Sequence, residues 1–174
     1  MARGSAVLAA IYEHHSEAHV VLTRRAATLR VHGGEVSFPG GGQDSGEALA
    51  ETARREAHEE IDLDPTSVEL IGELDHLTTI TSNSFIAPYV GLLPERPVLT
   101  PSPAEVDAVL CVPLAELLAP HVFREERWHL FGSERSIYFF ELHGDTVWGA
   151  TAAMVRQLLG LATGTVGRGE LRHV

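Results

Sequence analysis

One stretch, residues 47–63, constrains this chain more than any other. Ala50, Ala53, Ala57 and Ile61 recur at three- and four-residue spacing, the stripe of a helix that packs closely on a sheet. At about 100° per residue, Glu56, Glu59 and Glu60 share a sector of roughly 100°. Like charges at helical spacing cost an isolated helix a few tenths of a kcal/mol per pair. The face is therefore either a solvated acidic surface or a platform for a cation. Hard divalent ions take carboxylate oxygens, and Mg²⁺ takes one or two carboxylates together with water and substrate phosphate. The second reading is thus a Mg²⁺ or Mn²⁺ site. Glu51, Arg55 and Glu59 form an i,i+4 ladder, in which Arg55 is placed to hold Glu59. The expected helix covers residues 47–61, with Asp44 or Ser45 as its cap. Asp62 stands at its exit, where Asp tolerates the left-handed conformation better than most residues.

The rest of the chain reads mainly as strands. Residues 6–12 and 20–25 are expected strands around a polar hairpin at 13–19, which would leave His14, His15 and His19 solvated. The Gly-rich passage 33–46, with Pro39 inside it, reads as a loop. Strands are expected at 68–74 and 85–93, then a Pro-rich bend, a buried-type strand at 108–112 and a short helix at 114–118. Residues 122–131 and 136–142 pattern as a hairpin turning at Gly132-Ser133. Residues 149–161 form an amphipathic helix, with Ala152, Val155, Leu158, Leu159 and Ala162 on one face. The Gly-rich tail from 163 to 174 is expected to fray. This order of elements predicts an α+β fold with a mixed sheet between helices. All 174 residues fit one domain.

Composition excludes several functions. The formal net charge of −11 opposes binding to nucleic acid or to an anionic membrane. An anionic small substrate would need local basic residues or bound cations. The longest apolar runs are far too short to span a bilayer, and no signal-peptide cleavage site is evident, so the expected location is cytoplasmic. Cys111 is the only cysteine, which rules out an intramolecular disulfide. Its apolar neighbours predict a core residue. Trp128 and Trp148 are expected to pack in the core or the hairpin, and His32 to be a loop histidine.

Gly41, five residues, Glu47, seven residues and then Arg55-Glu56-Ala57-His58-Glu59-Glu60-Ile61-Asp62-Leu63 resemble the Nudix box. The departure is Asp62, where the pattern has glycine. Upstream, Val21-Leu22-Thr23, Arg25, Arg30, Gly34 and Phe38-Pro39-Gly40-Gly41 resemble the signature of coenzyme A diphosphatases within that superfamily. Val21 replaces a leucine there, and Ala26 replaces a hydroxyl residue. The segments 84–91, Glu105-Val106 and 148–152 are also similar to this subgroup.

The resemblance implies a Nudix α/β/α sandwich that requires Mg²⁺ or Mn²⁺ and cleaves the pyrophosphate of coenzyme A or a derivative. The products would be 3′-phosphoadenosine 5′-phosphate and 4′-phosphopantetheine. It implies Glu56 and Glu60 as main metal ligands, Glu59 as ligand or base, and the carbonyl of Gly40 or Gly41 completing the shell. Arg55 joins Glu59 in the catalytic set. The general base stays open among Glu59, Glu105, Glu125 and Glu126. Arg24, Arg25 and Arg30 are the phosphate-pocket candidates, because guanidinium forks match phosphate oxygens. Arg24 and Arg25 would point to opposite faces of a strand. Glu47 is expected to be structural, on the far side of the helix from Glu56. Two alternatives remain: a Nudix hydrolase of another nucleoside diphosphate derivative such as ADP-ribose or NADH, and a non-catalytic binding module. A homodimer is compatible with the fold.

Overall fold

The computed structural model describes residues 4–79, 85–130 and 132–165. Its organising element is β1 (Gly4–His14). It is followed by β2 (Glu17–Arg25), β3 (Val36–Ser37), β4 (Gly40–Gly42), α1 (Leu49–Ile61), a 3-10 turn (Pro65–Ser67), β5 (Glu69–Glu73), β6 (Leu77–Thr78) and β7 (Phe85–Leu92). Then come β8 (Val106–Pro113), α2 (Leu114–Leu117), β9 (Phe123–Leu130), β10 (Ser133–Leu142), β11 (Asp145–Trp148) and α3 (Gly149–Thr163).

On one edge β1 pairs in parallel with β7, from Gly4↔Phe85 to Ile11↔Leu92. On the other it pairs with β2 only between Ile11↔Val20 and His14↔Glu17. Toward Gly4 the two strands part, while on its other edge β2 runs antiparallel to β8 from His19 to Arg25. The fork is filled by β4, which pairs with β1 at Ser5, Ala6 and Val7, and by β3, which pairs with β2 at Thr23 and Arg24. A second sheet is the antiparallel meander β9–β10–β11.

Strand alternation sends side chains of the large sheet to two cores. Ala6, Leu8, Ala10, Tyr12 and Val21 pack with Ala53, Ala57 and Ile61 of α1. Ala9, Val20 and Leu22 pack with Phe140 and Val147 of the small sheet and with Ala152, Val155 and Leu158 of α3. The mixed sheet therefore lies between helices, as the sequence predicts. Burying Ile61 completely contributes roughly 1.5–3 kcal/mol, and the alanines beside it let α1 sit close.

Several expectations are corrected. The β1–β2 hairpin is tight, with left-handed residues at His15 and Ser16 (φ 53° and 64°), so residues 13–19 are mostly strand. The 33–46 passage holds β3 and β4. Cys111 is exposed rather than buried: it lies opposite Val21 on β8, an edge strand whose partner among the described residues is β2 alone. Ala162 is exposed at the end of α3, whereas Gln157 is fully buried. Helix α1 begins at Leu49, and its N-cap is Ala48, whose N–H donates to the Glu51 carboxylate at 3.1 Å. Of the two places expected for Trp128 and Trp148, the core takes neither: both are partly exposed beside Phe139 on the outer face of the small sheet, Trp128 within the β9–β10 hairpin as expected. The expected tail begins later than 163, since α3 runs through Thr163 and Gly164 caps it. Residues 166–174 lie outside the described residues, as does Ser84 of the 84–91 segment.

Candidate active site

The α1 stripe that packs on β1 fixes which way the other faces of the helix point. With Ala53, Ala57 and Ile61 against the sheet, Glu56 and Glu60 turn toward the fork occupied by β4. Glu60 is almost completely buried, at 3% exposure. Its Oε2 accepts the Gly40 N–H at 3.1 Å, and its Oε1 lies 3.8 Å from Arg25 Nη1. Burial pushes its pKa up to about 7, and nearby Glu56 and Glu105 push the same way against Gly40 N–H and Arg25. Burial also raises Glu56, against the pull of Arg55.

The floor of the fork is glycine for two reasons. A Cβ on Gly40 would lie 2.3 Å from the Ala6 carbonyl oxygen, because β4 crosses β1 there. A Cβ on Gly41 would lie 2.4 Å from Oε2 of Glu56. One glycine makes room for backbone and the other for a carboxylate.

Arg55 organises the acidic face. Its Nε and Nη2 donate to Glu47 at 2.8 and 3.1 Å, and Nη2 also donates to the Gly42 carbonyl at 3.0 Å. Its Nη1 donates to Glu56 at 2.9 Å and to Glu59 at 3.0 Å. The expected hold on Glu59 is present, and it is one part of a larger hub. Glu47 also accepts from Thr52 Oγ1 and from Asp44 N–H, and with Arg55 beside it its pKa falls to about 2. Glu47 precedes the helix, so its carboxylate folds back and meets Glu56 through one shared guanidinium. Placement on the far side does not describe this geometry.

The arginines separate by face. Val20 and Leu22 point to the α3 side of β2 and Val21 to the α1 side; by the same alternation Arg25 faces α1 and Arg24 does not. Arg24 Nη1 donates to both carboxylate oxygens of Asp145, at 3.1 and 3.2 Å. Arg24 is thus engaged with the small sheet, not with the carboxylate cluster. Arg25 Nε is buried and has no hydrogen-bond partner among the described residues. Arg30 is exposed in the turn after β2. Glu125 bonds Ser136, and Glu126 bonds Arg124 and Trp128. His32 pairs with Glu35 at 2.9 Å.

A NUDIX domain model matches residues 2–131, more than half of the chain. This chain belongs to the Nudix family. It is 37% identical over 140 residues to a Photorhabdus laumondii protein named uncharacterized Nudix hydrolase NudL, covering 80% of this chain and 74% of the relative. It is also 37% identical to Nudix hydrolase 22, chloroplastic, of Arabidopsis thaliana, over 87% of this chain and 52% of that protein. Among solved structures, the Mycobacterium smegmatis Nudix hydrolase RenU superposes with a TM-score of 0.65 at 19% identity, over 95% of this chain and 88% of that one. The NUDIX domain of Shewanella oneidensis NrtR, complexed with ADP ribose, superposes at 0.55 with 21% identity, over 68% and 77%. At these identities the structures support the fold alone.

The Nudix-box departure at position 62 is absorbed locally. Asp62 adopts φ 57° and ψ 31°, and its N–H closes the helix on the His58 carbonyl. The second departure, Ala26, is buried, and its N–H donates to the Glu105 carbonyl at 2.8 Å. By sequence alone Glu105 is one of four candidate bases. The structure sets it apart from Glu125 and Glu126 by placing its charge near Glu56 and Glu60.

Nudix enzymes generally use divalent metals such as Mg²⁺ or Mn²⁺, and this donor set fits one. It is all oxygen. Burial raises the pKa of both carboxylates, and nearby carboxylates add to it, Glu56 acting on Glu60 and Glu59 on Glu56; a cation there would relieve both. Among the described residues, no three His, Cys, Asp or Glu side chains converge at ligand spacing, with Glu56 and Glu59 drawn toward Arg55. Among the described residues, no helix is long and apolar enough to cross a membrane.

Proposed function

We propose that this Nudix hydrolase cleaves the pyrophosphate bond of coenzyme A or a close derivative, giving 3′-phosphoadenosine 5′-phosphate and 4′-phosphopantetheine. The observation that carries the reading is the juxtaposition of Arg25 with the buried Glu60, 3.8 Å apart. A lone arginine at that distance leaves guanidinium donors for a phosphate. The residues resembling the coenzyme A signature divide by location. Thr23 and Phe38 are buried, Gly34 takes φ 79° in a turn, and Gly40 and Gly41 line the floor. Arg25 and Arg30 are then the signature side chains left to meet an anionic substrate.

Glu56 and Glu60 are the metal ligands in this reading, with Glu59 or the backbone oxygen of Gly41 adding to the shell. A bound divalent ion would neutralise the pyrophosphate and acidify a water molecule. Arg25 and Arg30 orient the phosphates by charge-assisted hydrogen bonds. Glu59, 54% exposed, or Glu105 accepts the proton of the attacking water at a carboxylate oxygen. Arg55 keeps Glu56 and Glu59 in register.

The test is a panel of coenzyme A, acetyl-coenzyme A, ADP-ribose and NADH with Mg²⁺ or Mn²⁺, read as kcat/KM with the products identified. The highest value is expected for a coenzyme A species. A clear preference for ADP-ribose or NADH would move the assignment to another nucleoside diphosphate derivative. Tight binding without turnover would make this a binding module.

A further inference from the structure

Arg24 and Asp145 sit outside the carboxylate cluster, yet they anchor the end of β2, from which Arg25 projects and beside which Glu105 is held. Asp145 opens β11 and is 10% exposed, and both of its carboxylate oxygens accept from Arg24 Nη1. One residue on, Arg25 points to Glu60 on the opposite face. Two residues on, the Ala26 N–H holds the Glu105 carbonyl. The ladder between β2 and β8 slips at this point: Arg24 lies opposite Ala108 and Arg25 opposite Val106. Asp107 is the extra residue, and its carboxylate accepts the Ala27 N–H at 3.2 Å. Such a bulge bends its strand and re-aims the neighbouring side chains, and here it brings Glu105 alongside Ala26. Residues 24–27 thus support both the phosphate-facing arginine and the fourth carboxylate.

We infer that Arg24 and Asp145 are a positioning pair, which sets where Arg25 and Glu105 stand relative to Glu60 and so governs how the diphosphate of the substrate is held and cleaved. The inference rests on the proposed pyrophosphate cleavage, though not on coenzyme A as the substrate. A charged pair with its carboxylate largely buried is costly to desolvate, and a two-oxygen contact to one guanidinium nitrogen restricts orientation more than an apolar contact would. It ties the small sheet to the end of β2, which on its other edges is held by the short β3 and the slipped β8 ladder. A phosphate drawing on Arg25 pulls on this end of the strand.

The experiment compares wild type, Asp145→Asn, Arg24→Lys and the exchange Arg24→Asp/Asp145→Arg. The readouts are kcat and KM on whichever substrate the wild type cleaves fastest, affinity for methylenediphosphonate by calorimetry, and thermal midpoint. If the wild type cleaves none of the panel, the function reading has failed, and the diphosphonate affinities still test the pair. Asp145→Asn, nearly isosteric, is expected to lower kcat/KM about 10- to 100-fold and to weaken diphosphonate binding. Arg24→Lys is expected to lose less in binding than in kcat. The exchange is expected to recover part of the loss. Unchanged kinetics and affinity in Asp145→Asn would overturn the inference. So would a lower thermal midpoint with unchanged kinetics, or an exchange that restores the midpoint but neither kcat nor affinity.

Discussion

Gly41 stands where a Cβ would approach a carboxylate oxygen of Glu56 to 2.4 Å. The obstacle is the end of a side chain that can turn away, so Gly41→Ala should fold. It should nevertheless displace Glu56 and lower kcat/KM by about 100-fold. Gly40→Ala meets backbone at Ala6 and Val7 instead, and should unfold the protein or cost several kcal/mol, on the order of a severe overpacking change. Melting curves alongside kinetics separate the two. Equal destabilisation by both variants would contradict the assignment of one glycine to the site and one to the sheet.

Arg55 bonds Glu47, Glu56, Glu59 and the Gly42 carbonyl at once. Arg55→Lys keeps the charge and loses the fork. It should lower kcat more than it raises KM, by about 10- to 100-fold, as partners that orient metal ligands do. A purely KM effect would instead place Arg55 on the substrate.

Glu60 gives the metal-free protein a pH-dependent stability of definite sign. Its folded pKa, about 7, lies above the ordinary glutamate value of 4.5, so between those values the folded state binds more protons than the unfolded state. Stability is then full below about pH 4.5 and falls as pH rises through 7, by roughly 3 kcal/mol at most. Urea denaturation in chelator at about pH 5.5 and 8, on either side of that folded value, should show the fall, and Glu60→Gln should flatten it. Glu47, held near 2 by Arg55, works in the opposite direction, and its contribution is lost only as pH falls from about 4.5 toward 2. A metal-free protein that gains stability across the same interval, with Glu60→Gln unchanged, would refute the assignment.

Asp62 holds a left-handed conformation usually given to glycine. Asp62→Gly should stabilise by about 0.5–1 kcal/mol and leave kcat unaltered, because the residue lies at the helix exit. A loss of activity would show that this turn also shapes the site.

The carboxylate face and the alanine stripe are legible in the sequence because helical periodicity depends on local spacing alone. The left-handed exit at Asp62 is legible for the same reason. β4 is not: three glycines have no strand propensity, and their pairing comes entirely from β1. Glu47 escapes a helical-wheel reading because the helix begins two residues later than its pattern, which frees the carboxylate to fold back on Arg55. Cys111 reads as core from its neighbours, but only sheet order reveals that β8 is an edge strand, paired among the described residues with β2 alone. Asp145 carries no sequence signal; its partner, Arg24, lies 121 residues away along the chain.

The central claim is that Glu56 and Glu60 hold a divalent ion against a diphosphate. Its most direct measurement is the anomalous difference map of a crystal soaked in Mn²⁺. The account predicts a peak within bonding distance of both carboxylates, absent in Glu56→Gln/Glu60→Gln. A soaked wild-type crystal with no peak there, in a protein that still cleaves its substrate with Mn²⁺, would contradict it.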